Sequence, residues 1–500
     1  MKLAVKAALL GGIVASLLFS AIPGCAAPPT TPPNVLLIVV DDLRPQIGAY
    51  GQTQMISPNM DRLASQGLRF DRAYTQEAVC GPSRVSLLSG VRARGAWELP
   101  RQQEQAELAT LPHLFRLNGV QTVSVGKLYH RLSDDPHGWS QAPWMPWDRF
   151  PSWHAYVDPA SLAIHTNRSS GEPNKKKREM LGGPPYEAPD VADDVYPDGM
   201  IAVRAIEELR RLKDAPFFLG VGFVKPHLPF NAPKKYWDLY DPEQIQLPEV
   251  TELPQGAPAH ALQYLIEWRE LRRYAGIPAE GPLPERTARK LIHGYYACVS
   301  YVDAQIGRVL AELERLGLRE NTIIVLWGDH GWKLGEYSAW SKHTNYEIDT
   351  RTPLVLSVPG QKSAGTVSSA LVEAVDVGPT LAELSGFDVP RHWEGTSMVP
   401  LIADPARAWK TAAFSRDRAE LDGVSAQGYS VRTKDWRYTE WISDGKLVDR
   451  ELYDHRQEAM ETRNVAEHAA NAEIVAELSR LLAKGEGWQE VRQRLDRDNE

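Results

Sequence analysis

Four unbroken apolar runs constrain the fold of this chain more than any other feature. They cover residues 34–40 (NVLLIVV), 217–224 (FFLGVGFV), 322–327 (TIIVLW) and 353–358 (PLVLSV). A strand with one wet face alternates apolar and polar side chains, whereas a continuous run suits a strand covered on both faces. A further strand is predicted over 120–125. Between the runs, apolar residues recur at helical spacing. Met60, Leu63 and Ala64 follow a Ser57-Pro58 start, and helices are predicted over 83–88, 111–117 and 199–212. Leu291, Tyr295, Val299, Val302, Ile306, Leu310 and Leu313 mark a long helix over 288–316. Strands alternating with helices predict an α/β fold, a large mixed, mostly parallel sheet sandwiched by helices.

Two stretches break that rhythm. Residues 131–195 and 241–285 are irregular and read as elaborated loops, the first rich in Pro, Trp and charge and the second with a short helix over 261–274. From about residue 405 the pattern changes again. Antiparallel strands over 428–432 and 438–442 and a closing helix over 471–482 predict a smaller C-terminal α+β subdomain. The expected organisation is a signal segment over 1–25, a tether over 26–33, a main domain over 34–404 and the subdomain over 405–500.

Lys2 and Lys6 precede a short, Gly-interrupted apolar stretch over 7–22, the form of an export signal rather than a membrane span. Its end, Ile22-Pro23-Gly24-Cys25, resembles a bacterial lipobox. Export to a bacterial periplasm or cell envelope is expected, with a lipid on Cys25 favoured over simple cleavage near Ala26-Ala27. Residues 26–33 (AAPPTTPP) suit an extended tether. The chain holds only Cys25, Cys80 and Cys298, so no disulfide framework is expected. A net charge of −8 argues against a general nucleic-acid binder but leaves room for a local cationic cleft that takes an anionic substrate.

Asp41-Asp42 follows the first buried run directly, and Asp329-His330 follows closely on the run over 322–327. Ligand sites of open α/β sheets lie beyond the carboxyl ends of the strands. Helix capping would account for any one of these acids. It accounts less well for Asp-Asp together with Asp-His, because adjacent carboxylates repel and a divalent cation stabilises them jointly.

The run Cys80-Gly81-Pro82-Ser83-Arg84-Val85-Ser86-Leu87-Leu88-Ser89-Gly90 resembles the signature of the type I sulfatases, C-x-P-S-R-x-x-x-L-[T/S]-G, at every specified position. A buried structural cysteine at a helix start is the plain alternative, and the surrounding motifs outweigh it. The resemblance implies an alkaline-phosphatase-like fold and a nucleophile, formylglycine (3-oxoalanine), made from Cys80 by a formylglycine-generating enzyme. It implies one divalent metal, Ca²⁺ ahead of Mg²⁺, held by Asp41, Asp42, Asp329, His330 and the converted Cys80. Most members carry Asn or Gln where this chain has His330, and Ca²⁺ prefers oxygen ligands.

Further segments match the family in order. Gly126-Lys127-Leu128-Tyr129-His130 matches its G-K-x-x-H element, Lys225-Pro226-His227 its K-P-H element, and Lys342 a lysine that touches sulfate. Glu451-Leu452-Tyr453-Asp454 with Asn464-Val465-Ala466 resembles the ELYD…NLA ending of many members. By that resemblance, metal, Arg84, Lys127 and Lys342 hold the sulfate, and a hydroxyl of hydrated formylglycine attacks sulfur with Asp329 as base. His227, with Lys342, protonates the leaving sugar oxygen, and His130 takes the proton that lets sulfate be eliminated.

Residues 34–45, 76–88, 123–127, 221–230, 296–309 and 329–336 are similar to the iduronate-2-sulfatase branch of the family. That implies a sulfated carbohydrate substrate, the 2-O-sulfate of a uronic acid or related sugar. Trp139, Trp144, Trp147 and Trp153 could stack on sugars or simply pack an insertion. Lys175-Lys176-Lys177-Arg178 could meet further sulfates or stand as a solvated loop. The competing readings are a phosphonate monoester hydrolase or phosphodiesterase on the same scaffold, and a non-catalytic glycan-binding lipoprotein.

Overall fold

The computed structural model describes residues 31–92, 109–268 and 270–484. The predicted export signal with Cys25, most of the tether and residues 485–500 lie outside the described residues. Seven strands form the central sheet: β1 (Asn34–Val40), β2 (Leu68–Tyr74), β3 (Gln121–Gly126), β4 (Phe217–Phe223), β5 (Thr322–Gly328), β6 (Arg351–Ser357) and β7 (Thr366–Glu373). Their spatial order is β3-β4-β1-β5-β6-β2-β7. Every pair is parallel except those of β6, which runs against both β5 and β2. The sheet is mixed and mostly parallel, as the apolar runs predict.

Successive residues of β1 enter opposite layers. Leu36, Ile38 and Val40 pack with helices Pro197–Leu212 and Glu285–Arg315. Val35, Leu37 and Val39 pack with helices Cys80–Ser89, Leu111–Leu117 and Val377–Leu384. Side chains alternate across a strand, so covering both faces requires the continuous run. The strands missed by sequence reading, β2 and β7, carry charged or exposed positions (Arg69, Asp71 and Arg72 in β2) because neither is wholly covered.

The register places the site. Asn34 pairs with Thr322 and Val40 with Gly328, while Val40 also pairs with Phe223. The carboxyl ends of β4, β1 and β5 are therefore level. The N–H groups of Asp41 and Asp329 extend the ladder, to Phe223 O at 3.2 Å and Val40 O at 3.2 Å.

The long helix spans Glu285–Arg315, and the Cys80 helix starts at Cys80 itself, with Pro82 tolerated in its unpaired first turn. The predicted helix over 261–274 is shorter, Ala259–Glu267, and stops where Trp268 turns left-handed (φ 39°). Residues 131–195 are less irregular than expected, holding helices Pro159–Ser170 and Lys175–Met180. The C-terminal subdomain is a four-stranded antiparallel sheet, Ala413–Leu421, Val424–Arg432, Trp436–Ser443 and Lys446–Asp454, with helix Ala472–Lys484 packed on its apolar core. Among the described residues no helix is long and apolar enough to cross a membrane.

Gly126 ends β3 at φ 80°, and a Cβ there would run into the carbonyl of Gly222. Only glycine meets both demands without strain. Gly126→Ala is expected to cost about 3 kcal/mol, read as a lowered urea midpoint.

Candidate active site

Asp42 sits just past β1 with a left-handed backbone (φ 58°), a conformation that aspartate tolerates better than most residues. The turn brings its N–H to Asp329 Oδ1 at 2.9 Å, and the N–H of His330 donates to the same oxygen at 3.0 Å. Tyr295, from the long helix, donates to Asp42 O at 2.8 Å. Two strand ends are thus fastened into one acidic floor.

Arg84, one turn into the Cys80 helix and fully buried, binds that floor from beneath. Its Nη2 donates to Asp41 Oδ1 at 2.8 Å and its Nε to Asp329 Oδ2 at 2.9 Å. Its Nη1 donates to the carbonyls of Lys127 and Leu128. All three nitrogens meet protein acceptors, and Arg84 stands behind the acids rather than among the residues that line the cavity. The planar fork suits paired carboxylates as lysine could not.

Cys80 lies above the floor. Its Sγ is 3.2 Å from His330 Nε2 and 3.4 Å from Lys342 Nζ. Burial, reinforced by the nearby Asp41 carboxylate, pushes the thiol up to about 12. The encoded side chain stays neutral at ordinary pH and is a poor thiolate nucleophile.

Ligand atoms of Asp41, Asp42, Cys80 and His330 lie within 4.8 Å of one another. Asp42 Oδ2 is buried with no hydrogen-bond partner among the described residues, which is costly unless something positive meets it. That orphaned oxygen in a set of carboxylates fits a divalent cation. Asp329, also predicted as a ligand, stands beside the set, its Oδ2 3.6 Å from His330 Nε2 and its oxygens engaged by Arg84 and two backbone N–H groups.

Two lysines balance the acids. Lys127 pairs with Asp41 Oδ2, and Lys342 Nζ lies 2.6 Å from Asp42 Oδ1. Burial works against each charge, yet Asp41 raises Lys127, and Asp42 with Cys80 raises Lys342 well above the usual lysine range. Burial likewise opposes the Asp41 charge, but Lys127 and Arg84 hold its carboxyl well below the ordinary range. Both ammonium groups remain charged at neutral pH.

A cavity of about 900 Å³ opens over Cys80, lined by Lys127, His130, His227, Glu270 and Lys342. The bonds of Lys225 Nζ to His227 O (2.8 Å) and Pro229 O (2.7 Å) shape the loop that presents His227. Trp139, Trp147 and Trp153 line the walls, while Trp144 packs against the core and takes the Gly126 N–H on its carbonyl at 2.8 Å. The helix Lys175–Met180 carries the exposed basic run and ends with Met180 on the cavity wall.

The predicted residues Asp41, Asp42, Cys80, Arg84, Lys127, His130, His227, Asp329, His330 and Lys342 therefore converge on one place. Two neighbours went unread. Glu270 lies 3.1 Å from His227 Nε2 and 3.6 Å from Lys342 Nζ, and His343 stacks on Tyr264 with ring centres 5.0 Å apart. In sequence Glu270 is one acid in an amphipathic WREL stretch, with nothing to set it apart from a solvated glutamate.

A sheet with acids at its carboxyl edge, a cysteine-headed helix and a cationic cavity above them define a sulfatase-type site. The family model for sulfatases matches residues 33–387, and the model for the N-sulphoglucosamine sulphohydrolase C-terminal region matches residues 335–487. The chain belongs to the sulfatase family and is a sulfuric ester hydrolase. It is 34% identical to iduronate 2-sulfatase of Mus musculus over 488 residues, covering 82% of this chain and 84% of that one.

Two solved structures share the fold. One is a complex with its substrate D-glucosamine-2-N,6-O-disulfate, at TM-score 0.71 and 23% identity, covering 93% of this chain and 99% of that one. The other is a phosphonate monoester hydrolase from Silicibacter pomeroyi, at TM-score 0.67 and 23% identity, covering 93% and 95%.

Removing Arg84 leaves two buried carboxylates without their shared partner. Arg84→Ala is expected to lose about 3–5 kcal/mol of stability, measured by urea denaturation.

Proposed function

We propose that the enzyme removes the 2-O-sulfate of a uronic acid or related sugar in a sulfated glycan, using formylglycine made from Cys80 and one divalent cation, Ca²⁺. The observation that carries this reading is the placement of Cys80 at the cavity floor, 3.4 Å from Lys342 and against Asp41, Asp42 and His330. A neutral buried thiol gains little as a nucleophile there, whereas a group that replaces it would meet Lys342, His330 and the paired acids.

Formylglycine would supply a hydroxyl nucleophile, and a cation on Asp41, Asp42, Asp329 and His330 would add positive charge beside it. Lys127 and Lys342 present fixed ammonium groups to the sulfate oxygens, and their charge needs no rearrangement as the S–O bond lengthens. His227 faces the cavity through Nε2 and delivers the proton to the departing sugar oxygen. Asp329, with Oδ2 3.6 Å from His330 Nε2, takes the part of base that the family resemblance assigns to it. His130, on the cavity wall, takes a proton in the second half of the cycle.

Arg131 and Arg273 also line the cavity and match the carboxylate of a uronic acid. The similarity to iduronate 2-sulfatase supports the same sugar class. Maturation calls for a formylglycine-generating enzyme, and the leader over 1–25 fits export to a bacterial periplasm or envelope, tethered by lipid on Cys25.

Three measurements test the reading. After co-expression with a formylglycine-generating enzyme, mass spectrometry should find the Cys80 peptide lighter than its thiol form, and Cys80→Ala should abolish turnover without shifting the urea midpoint. Saturating Ca²⁺ should raise the melting temperature, by a free energy near 2.7 kcal/mol at about a hundredfold excess over Kd, and Asp42→Asn should remove that shift. Across sulfated disaccharides and aryl phosphonates, 2-O-sulfated uronates should turn over fastest; faster phosphonate hydrolysis overturns the assignment.

A further inference from the structure

We propose that Glu270 is a positioning residue that holds His227 as a doubly protonated imidazolium on the cavity wall, its Nε2–H resting on Glu270 until a leaving oxygen takes that proton in the carboxylate's place. This rests on the reading of His227 as the general acid. The ring nitrogens carry the argument. His227 Nδ1 lies 2.6 Å from the carbonyl oxygen of Leu228, an atom that only accepts, so Nδ1 carries a hydrogen. Nε2 lies 3.1 Å from Glu270 Oε1, and an ionised carboxylate also only accepts. A neutral imidazole can donate from one nitrogen alone. With acceptors on both sides, the ring is the cation.

The surroundings fix its direction. Trp153 presents itself edge-on to the His227 ring, with centres 5.8 Å apart. The second Glu270 oxygen lies 3.6 Å from Lys342 Nζ, so one carboxylate ties together the acid and a lysine that lines the same cavity. Asp42, Asp41, Lys342 and Lys127 are other charged groups that His227 feels. Burial and the lysines disfavour a charged ring, Asp42 and then Glu270 favour it, and Glu270 does so in direct contact with Nε2. Glu270 itself is largely covered, its side chain 17% exposed, and it is held ionised against the cost of burial by Lys342 and His227.

A merely structural glutamate would neutralise two cations and nothing more. The two roles separate by leaving group, because a weakly basic phenolate departs unaided and a more basic one needs the proton. Turnover of 4-nitrophenyl, 4-chlorophenyl and phenyl sulfate by wild type, Glu270→Gln, Glu270→Asp and His227→Ala reads this directly. Glu270→Gln is expected to lose about 10- to 100-fold in kcat on phenyl sulfate while 4-nitrophenyl sulfate changes by less than about threefold and KM stays level, with partial recovery in Glu270→Asp. An equal loss on all three esters, or no loss on any, overturns the proposal. If His227→Ala shows no preference among leaving groups, the general-acid reading fails first. If His227→Ala shows the preference and Glu270→Gln does not, only the role of Glu270 falls.

Discussion

A single guanidinium makes the catalytic floor affordable to the fold. Arg84 is fully buried, and its nitrogens divide between Asp41, Asp329 and the carbonyls of residues 127 and 128. Each of those partners sits at the carboxyl end of a different strand. Bringing two carboxylates together out of water is strongly unfavourable unless a hydrogen-bonding cation satisfies both. Arg84 does so through one oxygen of each acid, while Asp41 gives Oδ2 to Lys127 and Asp329 gives Oδ1 to the N–H groups of Asp42 and His330. The helix that carries Arg84 also carries Cys80 at its first position, so the same contact sets the height of the cysteine above the floor.

The charges form two tiers around that contact. Arg84 lies below the acids, while Lys127 and Lys342 reach them from the cavity. Lys342 bonds Asp42 and approaches Cys80 and Glu270, so one ammonium couples the acidic floor to the side of the cavity that holds Glu270 and His227. Burial by itself would neutralise every member of such a cluster. Mutual pairing keeps Asp41, Lys127, Lys342 and Glu270 ionised. The site can present positive charge to an anion only because the acids anchoring that charge are already committed.

How much of this could be read from the sequence depends on whether a residue's role is local. β1, β4 and β5 were legible because full burial writes itself as an unbroken apolar run, and the acids were legible because they end two of those runs. β2 escaped notice, since Arg69, Asp71 and Arg72 interrupt it wherever a face meets solvent or a polar neighbour. The resemblance of 80–90 to a known signature singled out Cys80 and Arg84, but not the contacts of Arg84, which are set by the packing of three strand ends. Glu270 was illegible for the same reason. Its contacts come from a loop more than forty residues beyond His227 and seventy before Lys342, and nothing in its own neighbourhood distinguishes it.

The position of β1 has a consequence for biosynthesis. It is the first strand made, yet it is flanked by β4 and β5, and Asn34 bonds Thr322 across 288 positions. During translation the N-terminal run gains its first neighbour, β4, only after residue 223 has been made, and its second, β5, only after residue 328. No truncated product ending before Asp329 can assemble the floor, because one of its three acids has not yet been synthesised. Such a delay favours holding the young chain extended or chaperoned, and residue 80 is spared the burial that the finished floor imposes for as long as the sheet lacks its centre.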